Sequence, residues 1–208
     1  MSQRILSGKW KGQTLAGSVG SKTRPTTSMM RQAVFNIWSS QVTGSRFLDL
    51  FAGTGAIGFE ALSLQAQEVT LVEKDRAAIK GLKKSMERFK DPLDQSLVLC
   101  IQDVQQFLES KRASSFDLVY ADPPYDWCAH KGLKPGYYVS WLLLHLEKWA
   151  KSGTRVMIEQ ARHVKEPIDS VMGSFIHLES RQYGDSMIHH FEFRSVQSIE
   201  PGQDLPSR

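Results

Sequence analysis

An acidic residue, two prolines and a tyrosine stand in succession at Asp122-Pro-Pro-Tyr125, directly after the apolar run Phe116–Ala121. Proline has no backbone N–H and continues neither a central strand nor a helix, so the pattern predicts a strand with an abrupt end. The Asp122 carboxylate and the Pro123 carbonyl are then two fixed acceptors for an –NH2 group, and Tyr125 offers a flat face for stacking. We interpret Asp122, Pro123 and Tyr125 as candidate catalytic residues that hold a planar amine. The alternative is a proline-terminated strand with an incidental aspartate.

A glycine-rich turn forms the second candidate site. Gly53, Gly55 and Gly58 have the spacing G-x-G-x-x-G, and an acid, Glu73, follows 20 residues after Gly53. This order of strand, turn, helix and acid is typical of a nucleoside cofactor bound at the carboxyl ends of parallel strands, where the acid can bind ribose hydroxyls. A plain strand-to-helix turn is the structural alternative.

Two further acids favour S-adenosylmethionine over a nicotinamide dinucleotide. Asp49 lies at a strand end just before the glycines, where a carboxylate suits an ammonium group and would oppose a pyrophosphate. Asp103 follows the third predicted strand, where it could accept from an adenine amine, cap the next helix, or do both. The candidate cofactor-binding residues are therefore Asp49, Phe51, Gly53, Gly55, Glu73 and Asp103.

The elements that must position these residues alternate along the chain from Arg46 onward. Apolar runs predict strands at 47–51, 69–73, 97–101, 116–121 and 154–159, and helical patterns predict helices at 56–65, 75–89, 104–111 and 139–150. This order predicts an α/β, Rossmann-like fold with a mostly parallel sheet and helices on both faces. In such a sheet the fourth strand lies beside the first across the switch point, which brings Asp122 to the glycine-rich turn. Two more strands, at 174–183 and 187–193, predict a C-terminal antiparallel hairpin.

The N-terminal segment is set apart by its charge. Seven of the 26 basic residues precede Asp49, the first acidic residue, whereas the remainder holds 19 basic and 22 acidic residues. We predict three parts: a basic N-terminal extension at 1–45 with a small hairpin and a helix at 26–38, a catalytic domain at 46–195, and a loose polar tail at 196–208. A basic segment on a slightly acidic body favours a polyanionic partner, although a solvated basic surface is the plainer explanation.

Composition argues against several other classes of protein. No apolar run approaches the ~20 residues of a membrane span, and the N-terminus lacks the apolar core of a signal peptide. Cys100 and Cys128 are too few for a disulfide framework or a zinc site. His189 and His190 are neighbours on a predicted strand, so they point to opposite faces and are not expected to share one metal. We therefore expect a cytoplasmic protein without a metal.

The motifs together resemble a known family. The Asp-Pro-Pro-Tyr stretch looks like the amino-methyltransferase motif of class I S-adenosylmethionine enzymes. Five further segments resemble the bacterial 16S ribosomal RNA guanine-N2 methyltransferases that act on guanine 966. These segments are Arg4-Ile-Leu-Ser-Gly-Lys-Trp-Lys-Gly12, Thr23-Arg-Pro-Thr-Thr27, Arg31-Gln-Ala-Val-Phe-Asn36, Asp49-Leu-Phe-Ala-Gly-Thr-Gly55 and Glu60-Ala-Leu-Ser63. The similarity runs from about Arg4 to Phe193, nearly the whole chain.

This resemblance implies a seven-stranded class I methyltransferase fold and S-adenosylmethionine as the methyl donor. The implied substrate is 16S ribosomal RNA in an assembled or partly assembled small subunit, with Asp122, Pro123 and Tyr125 around the target guanine. Arg24 and Arg31 are expected to contact RNA or to order the N-terminal extension over the pocket. The full set of candidate RNA-binding residues is Arg4, Lys9, Lys11, Arg24 and Arg31. We expect a monomer.

Two other functions stay open. One is an adenine-N6 methyltransferase acting on DNA or RNA, because the Asp-Pro-Pro-Tyr motif also serves adenine; 208 residues leave no separate base-reading domain for DNA. The other is a non-catalytic RNA-binding assembly factor on a methyltransferase scaffold. The presence of Asp49, Glu73 and Asp122 together argues against that second alternative.

Overall fold

A computed structural model describes residues 3–16, 28–89, 96–110, 115–124, 127, 132–134 and 137–195. Within these ranges the chain forms five α-helices and eight β-strands. In chain order they are α1 (Ser28–Ile37), β1 (Arg46–Asp49), α2 (Ala56–Ser63), β2 (Glu68–Glu73), α3 (Arg76–Arg88), β3 (Ser96–Ile101), α4 (Val104–Glu109), β4 (Phe116–Ala121), α5 (Val139–Leu146), β5 (Ala150–Ala161), β6 (Val171–Met172), β7 (Phe175–Tyr183) and β8 (Ser186–Phe193).

All eight strands form one sheet in the order β3-β2-β1-β4-β5-β8-β7-β6. Strands β1 to β5 pair in parallel, whereas β5–β8, β8–β7 and β7–β6 pair antiparallel. The α/β class with a C-terminal antiparallel hairpin is therefore confirmed. The expected count of seven strands is wrong by one, because β6 has only two residues and such a short strand leaves no recognisable pattern in the sequence.

The predicted elements match the observed ones closely, with two changes around β5. The helix predicted at 139–150 ends at Leu146 and continues as a single 3-10 turn at Glu147–Trp149, after which β5 begins earlier than expected, at Ala150. Asp75 caps α3, because its side chain accepts from Ala78 N at 2.8 Å and so satisfies one of the unpaired donors of the first turn.

Apolar side chains on successive residues of the inner strands point to opposite faces and form two cores. On one face, Phe47 and Met157 pack with α1, α2 and α3. On the other face, Leu48 and Ile158 pack with α4 and α5. Burial on both faces explains why the parallel strands are nearly continuous apolar runs, and it fixes their carboxyl ends along one edge of the molecule.

Residues 3–16, called the arm below, pack across α2 and α3. The arm folds back on itself as expected, with a bridge between Arg4 and Thr14 and a bond from Ile5 N to Gln13 O of 2.9 Å. Gly8 has φ +75°, and a Cβ at this position would lie 2.0 Å from the carbonyl oxygen of Ser63. Only glycine allows this close approach, so the arm is seated against α2 by its backbone.

None of the helices in the described ranges has the length and apolar character to cross a membrane. The predicted tail at 196–208 lies outside the described residues. Apolar residues of the arm and of α1, among them Ile5 and Val34, belong to the same core as the sheet. The segment predicted as an N-terminal extension therefore shares one core with the sheet.

Candidate active site

The glycine-rich turn joins β1 to α2. Its glycines are required for their backbone conformation and for close packing. Gly53 and Gly55 have φ values of +53° and +78°, a conformation that costs other residues energy. A Cβ at Gly55 would lie 2.6 Å from Cδ2 of Leu82, and one at Gly58 would lie 2.2 Å from Cδ2 of Leu71. These two glycines therefore let α2 pack closely on the sheet and on α3.

Gly53 differs from the other two because it faces open space. A Cβ at this position would meet a single atom within 4 Å, the carbonyl oxygen of Phe51 at 3.9 Å. The backbone of the turn can therefore be approached by a ligand, as a cofactor-binding turn requires.

Glu73 stands at the end of β2, as predicted, and is bonded to the turn. Its Oε2 accepts from Gly53 N at 2.7 Å, and its Oε1 accepts from the amides of Lys74 and Asp75 at 2.8 and 2.7 Å. Each oxygen of a carboxylate can accept more than one hydrogen bond. A role for Glu73 toward ribose hydroxyls stays a prediction that this geometry allows.

Asp49 is 2% exposed at the end of β1, where its Oδ2 accepts from Gly58 N at 3.2 Å. Burial, together with the negative charge of Glu73, raises the pKa of Asp49 from 3.8 to about 7, against the opposing effect of the Gly58 hydrogen bond. A buried carboxylate in this state is stabilised by a nearby cation. The site therefore fits the ammonium group of S-adenosylmethionine.

Asp103 caps α4 and also forms an ion pair. Its Oδ1 accepts from Gln105 N at 2.8 Å, and its Oδ2 lies 2.8 Å from Lys74 Nζ. The capping role left open by the sequence is thus observed, whereas a bond to an adenine amine stays a prediction.

Phe51 links the glycine-rich turn to Trp127, which follows the Asp122-Pro-Pro-Tyr125 motif, called the proline motif below. Its half-buried ring meets the buried ring of Trp127 edge to face at 5.5 Å, and Trp127 in turn contacts Tyr138 and Trp141. The sequence did not indicate this contact, which joins the glycine-rich turn to Trp127, two residues after the Asp122-Pro-Pro-Tyr125 motif.

The proline motif lies beside the turn because β4 is the neighbour of β1. Asp49 pairs with Tyr120, and Leu50 N donates to Tyr120 O at 2.9 Å. Asp122 is half-buried and Pro123 is buried at the same edge of the sheet. The carbonyl of Pro124 accepts from Trp127 N at 2.9 Å. Tyr125 lies outside the described residues.

Three functional candidates were missed by sequence reasoning: Tyr120, Glu159 and Ser186. Tyr120 OH donates to Glu159 Oε2 at 2.9 Å, and Ser186 Oγ donates to Glu159 Oε1 at 2.6 Å. The only sequence signal was spacing, since Tyr120 precedes Asp122 by two residues and so shares its face of the strand. The link from Tyr120 to Glu159 requires the strand order.

Of the candidate RNA-binding residues, Arg4, Lys9 and Lys11 are exposed on the arm, and Arg24 lies outside the described residues. Arg31 is only 2% exposed; its Nη1 donates to Arg4 O at 2.9 Å and lies 3.7 Å from Glu60 Oε2. This buried position argues against a direct contact between Arg31 and RNA, and it fits the other expected role, which is to order the arm.

His189 and His190 lie on opposite faces of β8. His190 Nε2 accepts from Trp38 Nε1 at 3.2 Å on the α1 side, whereas His189 lies 2.8 Å from Ser180 Oγ. Burial lowers the pKa of each to about 4. In the described part of the chain, no three His, Cys, Asp or Glu residues are grouped as metal ligands.

Comparison with known proteins agrees with this geometry. Residues 3–192 match the sequence profile of a family described as conserved hypothetical protein 95. Ribosomal RNA small subunit methyltransferase D of Haemophilus influenzae is 32% identical over 142 residues, which cover 64% of this chain and 74% of that protein. The protein of the same name from Buchnera aphidicola (subspecies Acyrthosiphon pisum) is 31% identical over 158 residues, which cover 76% and 78%.

A solved structure, described as the putative methyltransferase yhhF from Escherichia coli, has the same fold. It superimposes with a TM-score of 0.76 at 26% identity and covers 93% of this chain and 98% of its own. The similarity in fold therefore extends over most of the chain.

Proposed function

The chain belongs to the family described as conserved hypothetical protein 95, whose curated relatives include ribosomal RNA small subunit methyltransferases D, and from this membership we propose its activity. It transfers a methyl group from S-adenosylmethionine to the exocyclic N2 amine of a guanine in 16S ribosomal RNA, at the position of guanine 966.

The observation that carries this proposal is the adjacency of the two candidate sites. Asp49 and Tyr120 are register partners on β1 and β4, so the turn and the Asp122-Pro123 acceptors follow the same ends of two adjacent strands, whose backbones are about 4.8 Å apart. A methyl donor held on the turn would present its methyl group to an amine held on the proline motif.

The cofactor half of the site is built from backbone and carboxylates. S-adenosylmethionine supplies an electrophilic methyl group when bound. Asp49 binds its ammonium group, Glu73 its ribose, and Asp103 its adenine, and the open backbone at Gly53 admits it. A neutral or cationic ligand suits this acidic crevice better than a pyrophosphate does.

The target half of the site activates the exocyclic amine, which is a poor nucleophile by itself. The lone pair of an exocyclic amine is delocalised into the ring, and hydrogen bonds from its two protons to Asp122 and the Pro123 carbonyl favour a pyramidal nitrogen. The N–C bond forms as the methyl–sulfur bond breaks, with the electron pair left on sulfur. Rigid in-line positioning contributes up to ~7–11 kcal/mol, and Asp122 can take the proton that the nitrogen releases.

The arm supports an RNA substrate. Its exposed cations, Arg4, Lys9 and Lys11, belong to a segment that meets the glycine-rich turn, since Gln3 Oε1 accepts a hydrogen bond from Thr54 Oγ1. Phosphates bound along the arm would thus be placed next to the active site. Cytoplasmic ribosomal subunits are the expected partner, and a monomer is the expected state.

The test is to incubate unmodified small ribosomal subunits with labelled S-adenosylmethionine and to identify the methylated nucleoside and its position. We expect N2-methylguanine at guanine 966, lost in Asp122→Ala while cofactor binding measured by calorimetry persists. Asp117→Asn, at the opposite end of β4, is the matched control and should keep its activity. N6-methyladenine as the product would favour the adenine alternative, and RNA binding without cofactor binding would favour an assembly factor.

A further inference from the structure

Glu159 lies at the same edge of the sheet as the proline motif. Ala121 and Ile158 are register partners on β4 and β5, so Asp122, the first residue after β4, and Glu159, the next residue within β5, lie side by side. Alternation along each strand places Glu159 on the face that also carries Asp49 and Tyr120. Glu159 is half-buried, whereas Ile158 and Gln160 on either side are at most 2% exposed.

Hydroxyl groups hold the Glu159 carboxylate in one orientation. Tyr120 OH donates to Oε2 and Ser186 Oγ donates to Oε1, while Tyr138 OH fixes the backbone through a 2.8 Å bond to Glu159 O. Burial, and then the negative charges of Glu159 and Asp122, raise the pKa of Tyr120 well above 10. Tyr120 therefore remains a donor at neutral pH, and each Glu159 oxygen keeps a lone pair for another partner.

A purely structural role for Glu159 does not require a carboxylate. A neutral side chain would serve as acceptor for two hydroxyls, and a half-buried charge is normally paired with a cation. None of the ion pairs among the described residues includes Glu159. The carboxylate is thus held rigidly with spare acceptor capacity beside the place proposed for the target amine.

We propose that Glu159 determines base specificity by accepting the N1–H of the target guanine, and that Tyr120 and Ser186 position it. This inference rests on the proposed function. Guanine carries its N1–H donor next to the N2 amine, so a second acceptor beside Asp122 would read both groups of its Watson–Crick edge. Adenine presents a lone pair at N1, which a carboxylate repels, so the same residue selects against adenine.

The experiment uses the full chain and small subunits reconstituted from ligated 16S ribosomal RNA with either guanine or 2-aminopurine at the target position. The analogue 2-aminopurine keeps the 2-amine, but its N1 is an acceptor. Single-turnover methylation should be about 10- to 100-fold slower on 2-aminopurine, the range for losing a hydrogen bond to a charged group. Equal wild-type rates on the two bases would overturn the proposal.

Glu159→Gln provides the second part of the experiment, since the glutamine amide can donate a hydrogen bond to N1 of 2-aminopurine. The guanine-to-2-aminopurine rate ratio should fall to within about threefold of one in this variant, with S-adenosylmethionine affinity unchanged. Glu192→Gln, on β8 and ion-paired with Arg155, is the matched control and should keep the wild-type ratio. If Glu159→Gln does not fold, Tyr120→Phe removes one positioning bond and should lower the ratio in the same direction.

The outcomes separate this inference from the proposed function. A wild-type ratio in both Glu159→Gln and Tyr120→Phe would overturn the role of Glu159 while leaving guanine-N2 methylation intact. Absence of N2 methylation by the wild-type protein on the guanine substrate would instead overturn the proposed function on which the inference rests.

Discussion

The backbone N–H of Gly53 donates a 2.7 Å hydrogen bond to Oε2 of Glu73, which joins the turn after β1 to the end of β2. The same carboxylate accepts from the amides of Lys74 and Asp75 through Oε1. Glu73 therefore holds the backbone of the glycine-rich turn against the end of β2 without a ligand. This structural role is separate from the ribose contact proposed for it.

Replacement of Glu73 by glutamine should weaken both the turn and cofactor binding. An amide has one acceptor oxygen, so it cannot satisfy the donors on both sides, and a lost bond of this kind costs about 1–3 kcal/mol. We expect S-adenosylmethionine affinity to fall at least ~10-fold by calorimetry and Tm to fall by roughly 2–4 °C per kcal/mol. Glu68→Gln, at the start of β2 and in a partly exposed pair with Arg46, should change neither value measurably.

Asp49 should make the free energy of unfolding depend on pH. Its pKa is raised from 3.8 to about 7 in the folded protein, so the folded state binds the proton more tightly than the unfolded chain. Stability is then lost as pH rises from about 4 to 7, by ~4 kcal/mol for a shift of about three units at ~1.4 kcal/mol each. Urea unfolding should show the stability of Asp49→Asn rising relative to wild type over this range and levelling off above pH 7. A difference between the two proteins that does not change with pH would contradict the raised pKa.

The same carboxylate should give cofactor binding the opposite pH dependence. Only ionised Asp49 attracts an ammonium group, so affinity for S-adenosylmethionine should rise about tenfold per pH unit below pH 7 and level off above it. Calorimetry between pH 5.5 and 8 checks this slope. Asp49→Asn should bind weakly at every pH, and Asp117→Asn should follow the wild-type curve.

Much of the fold could be predicted because local pattern and tertiary structure agree. β4 has the bounds expected from its apolar run, and α2 begins at Ala56, where the helical pattern begins. The candidate residues Asp49, Gly53, Glu73 and Asp122 could be predicted to lie near one another because strand ends in a parallel sheet converge on one edge. These inferences need only the order of elements along the chain.

The features that were missed depend on contacts distant in sequence. Arg31 is one cation on an amphipathic helix, and its burial follows from Glu60, 29 residues later, and from the backbone of the arm. Glu159 gains its place in the site only from the register of β4 and β5 and from Ser186 on β8. No spacing rule connects these residues before the sheet order is known.

The arm lysines should contribute to RNA affinity through counterion release. Lys9 and Lys11 are exposed, with Lys9 Nζ 4.3 Å from the centre of the Trp10 ring. Changing both to glutamine should reduce the slope of log K against log salt by up to about two, at ~0.9 per phosphate contact. Binding titrations at several salt concentrations measure this slope.

A matched pair of lysines at the opposite edge of the sheet serves as the control for the arm. Lys148 and Lys151 lie where β5 begins, and they contact Ser110 O and Asp117. Changing both to glutamine removes the same charge from the whole protein. An equal loss of slope in the two double variants would mean that overall charge, and not the arm, binds the RNA.

Arg31 and Glu60 should stabilise the arm without taking part in RNA binding. Both side chains are at most 2% exposed, and Glu60 also accepts from Leu6 N at 2.8 and 3.1 Å. Arg31→Met leaves the Glu60 carboxylate buried without its cation, which should cost about 3–5 kcal/mol in urea unfolding. Adding Glu60→Gln, which keeps an acceptor for Leu6, should recover part of that loss because the two residues act as one unit.

The partly exposed pair Arg46–Glu68 is the control for this pair of substitutions. Its side chains are 33% and 26% exposed, so Arg46→Met should cost no more than about 1 kcal/mol. The slope of RNA affinity against salt should be unchanged in the Arg31→Met, Glu60→Gln double variant, because neither side chain reaches the surface. A reduced salt dependence of RNA affinity in that variant would instead support a direct contact between Arg31 and RNA, which its buried position argues against.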